Sequence, residues 1–216
     1  EKLWERCNIR IDGDDFAELA VRFCMFHLIS AQNPDDDRVS LGAKLLSGDF
    51  YRGHIFWDTD LFMMSFFQSV LPERARKMAA YRYRTLDGAR RKAREEGYSG
   101  AWYPWESSDT GYEVSPRKWI DDAGVEYPIS CWKLEIHSVC DVAFAAWDYC
   151  VTTGDQPFLL NMGAEILIET ARFWVSRVEN GPGGTKSINN VTGPDEYHAG
   201  VNDSAYINYL ARWNIR

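Results

Sequence analysis

Residues 192–198 read Thr-Gly-Pro-Asp-Glu-Tyr-His and form the strongest candidate for chemistry in this chain. Gly-Pro-Asp is a turn signal, so we expect Glu196 at a loop tip just before a helix. A glycosidic bond breaks when its leaving oxygen is protonated, and a carboxylic acid of raised pKa can supply that proton. Asp195 and Glu196 could instead cap the following helix. The local sequence does not decide which of the two carboxylates would be the acid.

A second candidate lies at residues 52–60, which read Arg-Gly-His-Ile-Phe-Trp-Asp-Thr-Asp. An aromatic face suits the C–H surface of a sugar ring, and a carboxylate suits its hydroxyl groups. Trp57 and Asp58 therefore predict a sugar-binding pair. The alternative is that Asp58 or Thr59 is the N-cap of the next helix, and both roles could hold together.

A third candidate lies at residues 100–107, which read Gly-Ala-Trp-Tyr-Pro-Trp-Glu-Ser. Trp105 beside Glu106 could stack on a second sugar and accept hydrogen bonds from it. The alternative is that buried tryptophans anchor this loop without touching a ligand.

The elements that must position these loops are predicted to be helices. Apolar residues recur at three- and four-residue steps, and Gly, Pro and Asp mark the ends. The predicted helices cover residues 14–31, 59–70, 72–96, 135–152 and 155–178, with a last helix starting near Asn202. Residues 97–134 are predicted to be a long loop, and long loops in compact domains are usually functional. The pattern indicates an all-α protein, a stack of antiparallel helices with its function in loops at one end.

Composition narrows the class of protein. The chain has 216 residues with 24 Lys plus Arg and 32 Asp plus Glu, a net charge of -8, which argues against broad nucleic-acid binding. No apolar run approaches the roughly 18 residues of a membrane helix, and no signal peptide is visible, although Glu1 suggests that the true N-terminus is missing. The five cysteines have no CxxC spacing, which favours reduced thiols in a cytoplasmic protein.

Two further patterns are weak evidence for a binding site. Residues 74–94 carry nine basic groups, which we read as a solvated outer helix face rather than a nucleic-acid patch. Glu135, His137 and Asp141 could be imagined as metal ligands, and His137 and Asp141 share a helical face, but nothing completes a recognisable metal site. Walker A, dinucleotide and Gly-x-Ser-x-Gly motifs are missing from the sequence.

Taken together, the motifs resemble the disaccharide phosphorylases of glycoside hydrolase family 65, which act on kojibiose, maltose or trehalose. The resemblance covers nearly the whole chain and is carried by residues 53–59 (GHIFWDT), 83–90 (YRTLDGAR), 105–107 (WES) and 193–198 (GPDEYH). The sequence departs from the family at Leu45, Asp60 and Ser65, where Gly, Glu and Pro are usual. The identity of the disaccharide therefore stays open.

The resemblance implies that residues 1–216 are the central part of a catalytic (α/α)6 barrel with long active-site loops. An N-terminal β-sandwich and the C-terminal part of the barrel, with its phosphate-binding loops, would lie outside the chain. It implies that Glu196 is the general acid, that Trp57 and Asp58 hold the non-reducing glucose, and that Trp105 and Glu106 contact the acceptor sugar. The expected reaction is inverting phosphorolysis of an α-linked glucose disaccharide to β-glucose 1-phosphate and glucose.

Such an enzyme needs no metal or organic cofactor, with inorganic phosphate as co-substrate. We expect a homodimer for the full-length enzyme and no nucleic-acid or membrane partner. One rival is a hydrolase of the same family, such as an acid trehalase, in which a second carboxylate activates water. Another is a carbohydrate-binding protein that has lost its catalytic activity. The presence of Glu196 argues against this alternative.

Overall fold

Helices form most of the computed structural model, which describes residues 2–216. The long helices end close to their predicted limits. In chain order the helices are α1 (Lys2–Cys7), α2 (Asp15–Ala31), α3 (Met64–Val70), α4 (Pro72–Arg84), α5 (Leu86–Glu95), α6 (Cys131–Leu134), α7 (Ser138–Thr153), α8 (Gln156–Phe158), α9 (Ala164–Arg177) and α10 (Ala205–Ile215). A π-helical turn precedes α3 at Thr59–Met63 and another precedes α9 at Leu159–Gly163. The prediction of a mostly helical chain is confirmed.

The structure also contains two short antiparallel hairpins, which the sequence analysis did not predict. Strands β1 (Lys118–Ile120) and β2 (Glu126–Pro128) pair with Trp119 opposite Tyr127. Strands β3 (Glu179–Asn180) and β4 (Lys186–Ser187) form the second pair. The first hairpin lies within the predicted loop 97–134 and is closed by Asp121, whose carboxylate accepts the backbone N–H groups of Ala123 and Val125.

The helix predicted over residues 72–96 is broken at Thr85, where the backbone leaves helical geometry (φ -97°, ψ 6°). The break lets the loop at Gly111 approach closely. A Cβ on Gly111 would lie 2.2 Å from the carbonyl oxygen of Thr85, and one on Gly88 would lie 2.2 Å from that of Thr110. Two glycines at this contact thus allow the loop to pack directly on the start of α5.

Predicted helix ends on either side of residue 154 are confirmed. Gly154 closes α7 in the left-handed conformation (φ 70°), and the side chain of Asp155 accepts the backbone N–H of Phe158 at 2.9 Å. The last helix begins three residues later than predicted, at Ala205 with Ser204 as N-cap.

Helix α7 lies at the centre of the packing and contacts α3, α4, α9 and α10. Three apolar clusters of buried side chains surround it, and the largest fully buried side chains include Trp174, Tyr81 and Tyr103. A rigid, close-packed centre of this kind holds the loops at its ends in fixed positions.

Other helix faces are apolar but exposed. In α2 the exposed side chains Phe16, Leu19, Phe23 and Phe26 follow a three- and four-residue spacing. The prediction that residues 155–178 are buried between neighbours holds for only one side: Phe158, Ile166, Phe173 and Trp174 are fully buried, whereas Leu160, Ile168 and Val175 are exposed. Among residues 2–216, no helix is both long and apolar enough to cross a membrane.

Candidate active site

The loops that carry the second and third sequence motifs are joined by backbone and side-chain hydrogen bonds. Ile55 and Ser107 exchange two backbone hydrogen bonds of 2.9 Å each. Beside them, His54 Nδ1 lies 2.7 Å from Glu106 Oε2. The structure therefore brings the segment containing Trp57 and Asp58 next to the segment containing Trp105 and Glu106, as one sugar site would require.

The loop that carries Glu196 is joined to the last residue of α6 by a backbone hydrogen bond. The backbone N–H of Thr192 donates to the carbonyl oxygen of Leu134 at 2.8 Å, immediately before Glu135. Burial raises the pKa of the Glu135 carboxyl, and the negative charge of Glu196 raises it further. The loop of the first motif therefore lies beside Glu135.

His137 occupies the centre of this arrangement. Its ring is fully buried, and its centroid lies 4.9 Å from that of Trp57, 5.5 Å from that of Trp105 and 5.9 Å from that of Tyr206. The sequence interpretation considered His137 only as a metal ligand. The signal that could have found its role was its position four residues before Asp141 on one helix face.

An acidic partner holds His137 in its charged form. Nδ1 of His137 lies 2.6 Å from Asp141 Oδ2, and the hydroxyl of Tyr206 donates to the other oxygen of Asp141 at 2.7 Å. Burial lowers the pKa of His137, but the carboxylates of Asp141 and Glu135 outweigh it and raise the pKa to about 9. The imidazole is therefore protonated at neutral pH.

This pKa predicts a pH-dependent contribution of His137 to stability. A histidine of ordinary pKa, about 6.5 when unfolded, binds its proton more tightly in the folded state if the folded pKa is about 9. Its stabilisation is therefore complete below pH 6.5 and lost as the pH rises through 9. We expect the deficit of His137→Gln relative to wild type, measured by thermal melting, to shrink by about 1–3 kcal/mol between pH 6 and pH 9.5. A deficit that does not change with pH would contradict this.

The two carboxylates of the second motif lie in different surroundings. Asp60 is buried and accepts hydrogen bonds from Arg82 Nε at 3.0 Å and Nη2 at 2.5 Å. Asp58 is half-buried and, within residues 2–216, its side chain has no hydrogen-bond partner and does not cap the following turn. The N-cap alternative therefore does not describe Asp58. Thr59 does not cap the turn either, because its hydroxyl donates to the carbonyl oxygen of Leu41.

The two carboxylates of the first motif also differ. Asp195 organises its own turn: Oδ1 accepts the backbone N–H of Tyr197 at 3.2 Å, and Oδ2 lies 2.6 Å from His198 Nδ1. Glu196 is exposed, and its side chain has no hydrogen-bond partner in the described part of the chain. Neither residue caps α10, which begins nine residues after Glu196 with Ser204 as its N-cap.

The Trp105–Glu106 segment is fixed by a buried ion pair. Glu113 accepts the backbone N–H groups of Trp105 at 2.9 Å and of Glu106 at 3.2 Å, together with the N–H and hydroxyl of Ser115. Lys92 Nζ lies 2.5 Å from Glu113 and also donates to a backbone carbonyl. The side chain of Trp105 is itself only 8% exposed, which fits the alternative of a loop anchor.

The basic residues of positions 74–94 do not form one solvated face. Arg82 and Lys92 are each only 3% exposed, paired with Asp60 and Glu113. Several others bind acidic side chains at the surface: Arg76 with Asp155, Arg84 with Asp37, Arg90 with Glu165 and Glu169, and Arg91 with Glu95. The solvated-face prediction was therefore wrong for Arg82 and Lys92, because buried acidic partners compensate their charge.

Across residues 2–216, no group of three or more His, Cys, Asp or Glu side chains has the geometry to hold a metal ion.

The relatives of this chain among known proteins include three kinds of disaccharide phosphorylase. The chain is 52% identical to kojibiose phosphorylase of Caldanaerobacter subterraneus subsp. tengcongensis and 39% identical to α,α-trehalose phosphorylase of Thermoanaerobacter brockii. It is 36% identical to nigerose phosphorylase of Lachnoclostridium phytofermentans. These alignments cover 100%, 98% and 98% of this chain but only 28%, 26% and 29% of the relatives, so the chain spans less than a third of their length.

The fold agrees with the sequence relationship. A solved structure provisionally described as a kojibiose phosphorylase from the human microbiome superposes with a TM-score of 0.87 at 28% identity, over 98% of this chain and 30% of the other. Residues 22–216 match the central catalytic domain of glycosyl hydrolase family 65. The chain therefore belongs to the glycosyl hydrolase family 65 central catalytic domain family.

Proposed function

We propose that this chain is the central catalytic part of an inverting phosphorylase, which cleaves an α-linked glucose disaccharide to β-glucose 1-phosphate and glucose. The observation that carries the proposal is that the loops of Trp57 and Trp105 meet at His137 while the loop of Glu196 contacts neighbouring Leu134. The side chains of Asp58 and Glu196 make no hydrogen bonds to the described residues. The kojibiose, nigerose and trehalose phosphorylases among its relatives support the same reaction class.

Glu196 is proposed as the general acid. Its carboxyl group would protonate the oxygen of the departing glucose while phosphate attacks the opposite face of the glucosyl ring, inverting the anomeric carbon. The contrast with Asp195 supports this assignment, because Asp195 already accepts hydrogen bonds from its own turn and from His198. A residue committed to holding a turn is a poor candidate for moving a proton to substrate.

Trp57 and Asp58 are proposed to hold the non-reducing glucose, with Trp105 and Glu106 contacting the acceptor sugar. Trp57 supplies an aromatic face beside His137, and Asp58 supplies an uncommitted carboxylate. Glu106 has one oxygen bound to His54, which leaves the other oxygen to accept a hydrogen bond from a sugar hydroxyl.

The chain is proposed to be one part of an (α/α)6 barrel, completed by a further C-terminal segment and preceded by a β-sandwich domain. The exposed apolar faces of α2 and α9 support this, since contiguous apolar surface normally lies against another part of a protein. Phosphate-binding groups would come from the completing segment, and the full-length enzyme is proposed to be a homodimer that needs no metal or organic cofactor.

Phosphate dependence is the experiment that tests this function. The full-length enzyme incubated with kojibiose, nigerose, maltose or trehalose is expected to release glucose 1-phosphate only when inorganic phosphate is present. Release of two glucose molecules at the same rate without phosphate would instead identify a hydrolase. Binding of the disaccharides without turnover in either buffer would identify a carbohydrate-binding protein.

Asp58→Asn is expected to lower kcat/KM on the preferred disaccharide by about ten- to a hundred-fold, because a hydrogen bond to a charged group contributes about 1.5–3 kcal/mol. Since the Asp58 side chain has no partner in the described residues, the melting temperature should stay close to that of wild type. Asp60→Asn is the matched contrast, because it removes the charge opposite buried Arg82 and should lower the melting temperature. Unchanged kinetics of Asp58→Asn on every glucoside would contradict the assignment.

A further inference from the structure

Two buried polar atoms at the centre of the site form a long ion pair, but neither makes a hydrogen bond to the described residues. They are Nε2 of His137 and Oε2 of Glu135, which lie 3.9 Å apart. The separation exceeds the 2.7–3.2 Å of a direct hydrogen bond. His137 is fully buried and Glu135 is 7% exposed, and polar atoms buried this deeply nearly always have a partner.

The chemistry of a ligand that could bind both atoms follows from the atoms themselves. Nδ1 of His137 is already bound to Asp141, so its charged ring presents Nε2–H as a donor. Oε2 of Glu135 presents an acceptor. A hydroxyl can accept from one and donate to the other, and a single oxygen can lie about 2.8 Å from each of two atoms that are 3.9 Å apart.

The residues around the Glu135–His137 pair are those of the proposed sugar site. The rings of Trp57 and Trp105 lie against His137 from two different loops. Glu196 is close enough to Glu135 for its charge to raise the pKa of that carboxyl. A hydroxyl bound by Glu135 and His137 would therefore belong to a molecule beside both tryptophans and beside the loop of Glu196, whose Thr192 is hydrogen-bonded to Leu134.

We propose that Glu135 and His137 together bind one hydroxyl group of a glucose ring, with His137 donating a hydrogen bond to its oxygen and Glu135 accepting one from its O–H. The inference rests on the proposed function for the identity of the sugar. It makes Glu135 and His137 binding residues that select glucose over sugars lacking that hydroxyl. Asp141 and Tyr206 act behind them by fixing the orientation and charge of the imidazole.

Binding of single-site glucose analogues tests the proposal without requiring turnover. Isothermal titration calorimetry of the full-length protein is run with D-glucose, the 2-, 3-, 4- and 6-deoxyglucoses, and 1,5-anhydroglucitol, which lacks the 1-hydroxyl. Each of these analogues lacks one hydroxyl. The wild-type protein should bind at least one of them about 10- to 100-fold more weakly than glucose, as expected for a lost hydrogen bond to a charged group.

The variants locate that hydroxyl. Glu135→Gln should weaken glucose binding by about 10- to 100-fold. The analogue that lacks the hydroxyl bound by Glu135 should then bind the variant as well as glucose does. Every other analogue should lose the same affinity relative to glucose as it loses with the wild-type protein. Glu135→Asp keeps the charge but withdraws the oxygens from His137, and it should show the same selective pattern if Glu135→Gln does not fold. Glu169→Gln is the matched control with the same 7% exposure, because its carboxylate binds Arg90 and Arg172, and it should bind all six ligands as wild type does.

The outcomes separate this inference from the proposed function. A Glu135 variant that weakens every ligand by one common factor, or none, would overturn the inference and point to an ordered water or a purely structural role. Failure of the wild-type protein to bind glucose would overturn it as well. A protein that binds glucose with the selective pattern but shows no phosphate-dependent cleavage would retain the inference and reject phosphorolysis.

Discussion

Glu196→Gln in the full-length enzyme is expected to reduce phosphorolysis of the disaccharide by at least about 10²- to 10⁴-fold, the usual contribution of a general acid. The substitution keeps the shape of the side chain but replaces the acidic carboxyl group with an amide that cannot act as an acid, and a sugar alkoxide is a poor leaving group. The side chain is exposed and has no hydrogen-bond partner in the described residues, so the melting temperature should not change.

A donor that needs no proton separates acid catalysis from other effects of this substitution. Fluoride leaves from α-glucosyl fluoride with little protonation, so Glu196→Gln should lose much less activity on it than on the disaccharide. Asp195→Asn is the neighbouring control and should not reproduce this selectivity, because Asp195 holds the turn. Equal losses on both donors would remove Glu196 from the acid role.

Lys92→Met is expected to loosen the loop that carries Trp105 and Glu106. It would leave the buried carboxylate of Glu113 without its charged partner, and breaking a buried pair from one side costs about 3–5 kcal/mol. Because Glu113 accepts the backbone N–H groups of Trp105 and Glu106, hydrogen exchange across residues 100–116 should accelerate by about 10²- to 10³-fold. Activity should fall with it.

Lys118→Met provides the matched control for this prediction. Lys118 also pairs with a glutamate, Glu126 at 2.6 Å, but both side chains are more than half exposed. An exposed pair contributes about 0–1 kcal/mol, so the variant should melt within a degree or two of wild type. If Lys92→Met and Lys118→Met behave alike, the buried pair does not position the loop.

The sequence was sufficient to predict the elements whose signals are local. Helices α2, α7 and α9 have the predicted periodicity, and Gly154 and Asp155 end and begin helices through their own backbone and side-chain preferences. The three motif segments were also recognisable, since their residue types suit a sugar. Their convergence could not be read from spacing, because it depends on contacts such as Ile55 with Ser107 across the fold.

Features that depend on tertiary partners were missed or misread. His137 was recognisable only as one of a pair with Asp141, because the tryptophans around it come from loops about 80 and 32 residues earlier in the chain. Lys92 resembled a surface lysine because its acidic partner is 21 residues away. Leu45 adopts a left-handed backbone (φ 51°) where the family usually has glycine, a conformation that no local pattern predicts.

The anomeric configuration of the product tests the central claim most directly. The full-length enzyme is incubated with the disaccharide that it prefers in phosphate buffer, and the anomer of the glucose 1-phosphate formed is identified by ¹H and ³¹P NMR. Direct displacement of an α-linked sugar by phosphate, with Glu196 protonating the leaving oxygen, predicts the β anomer. Formation of α-glucose 1-phosphate would contradict the inverting mechanism, and release of free glucose alone would contradict phosphorolysis itself.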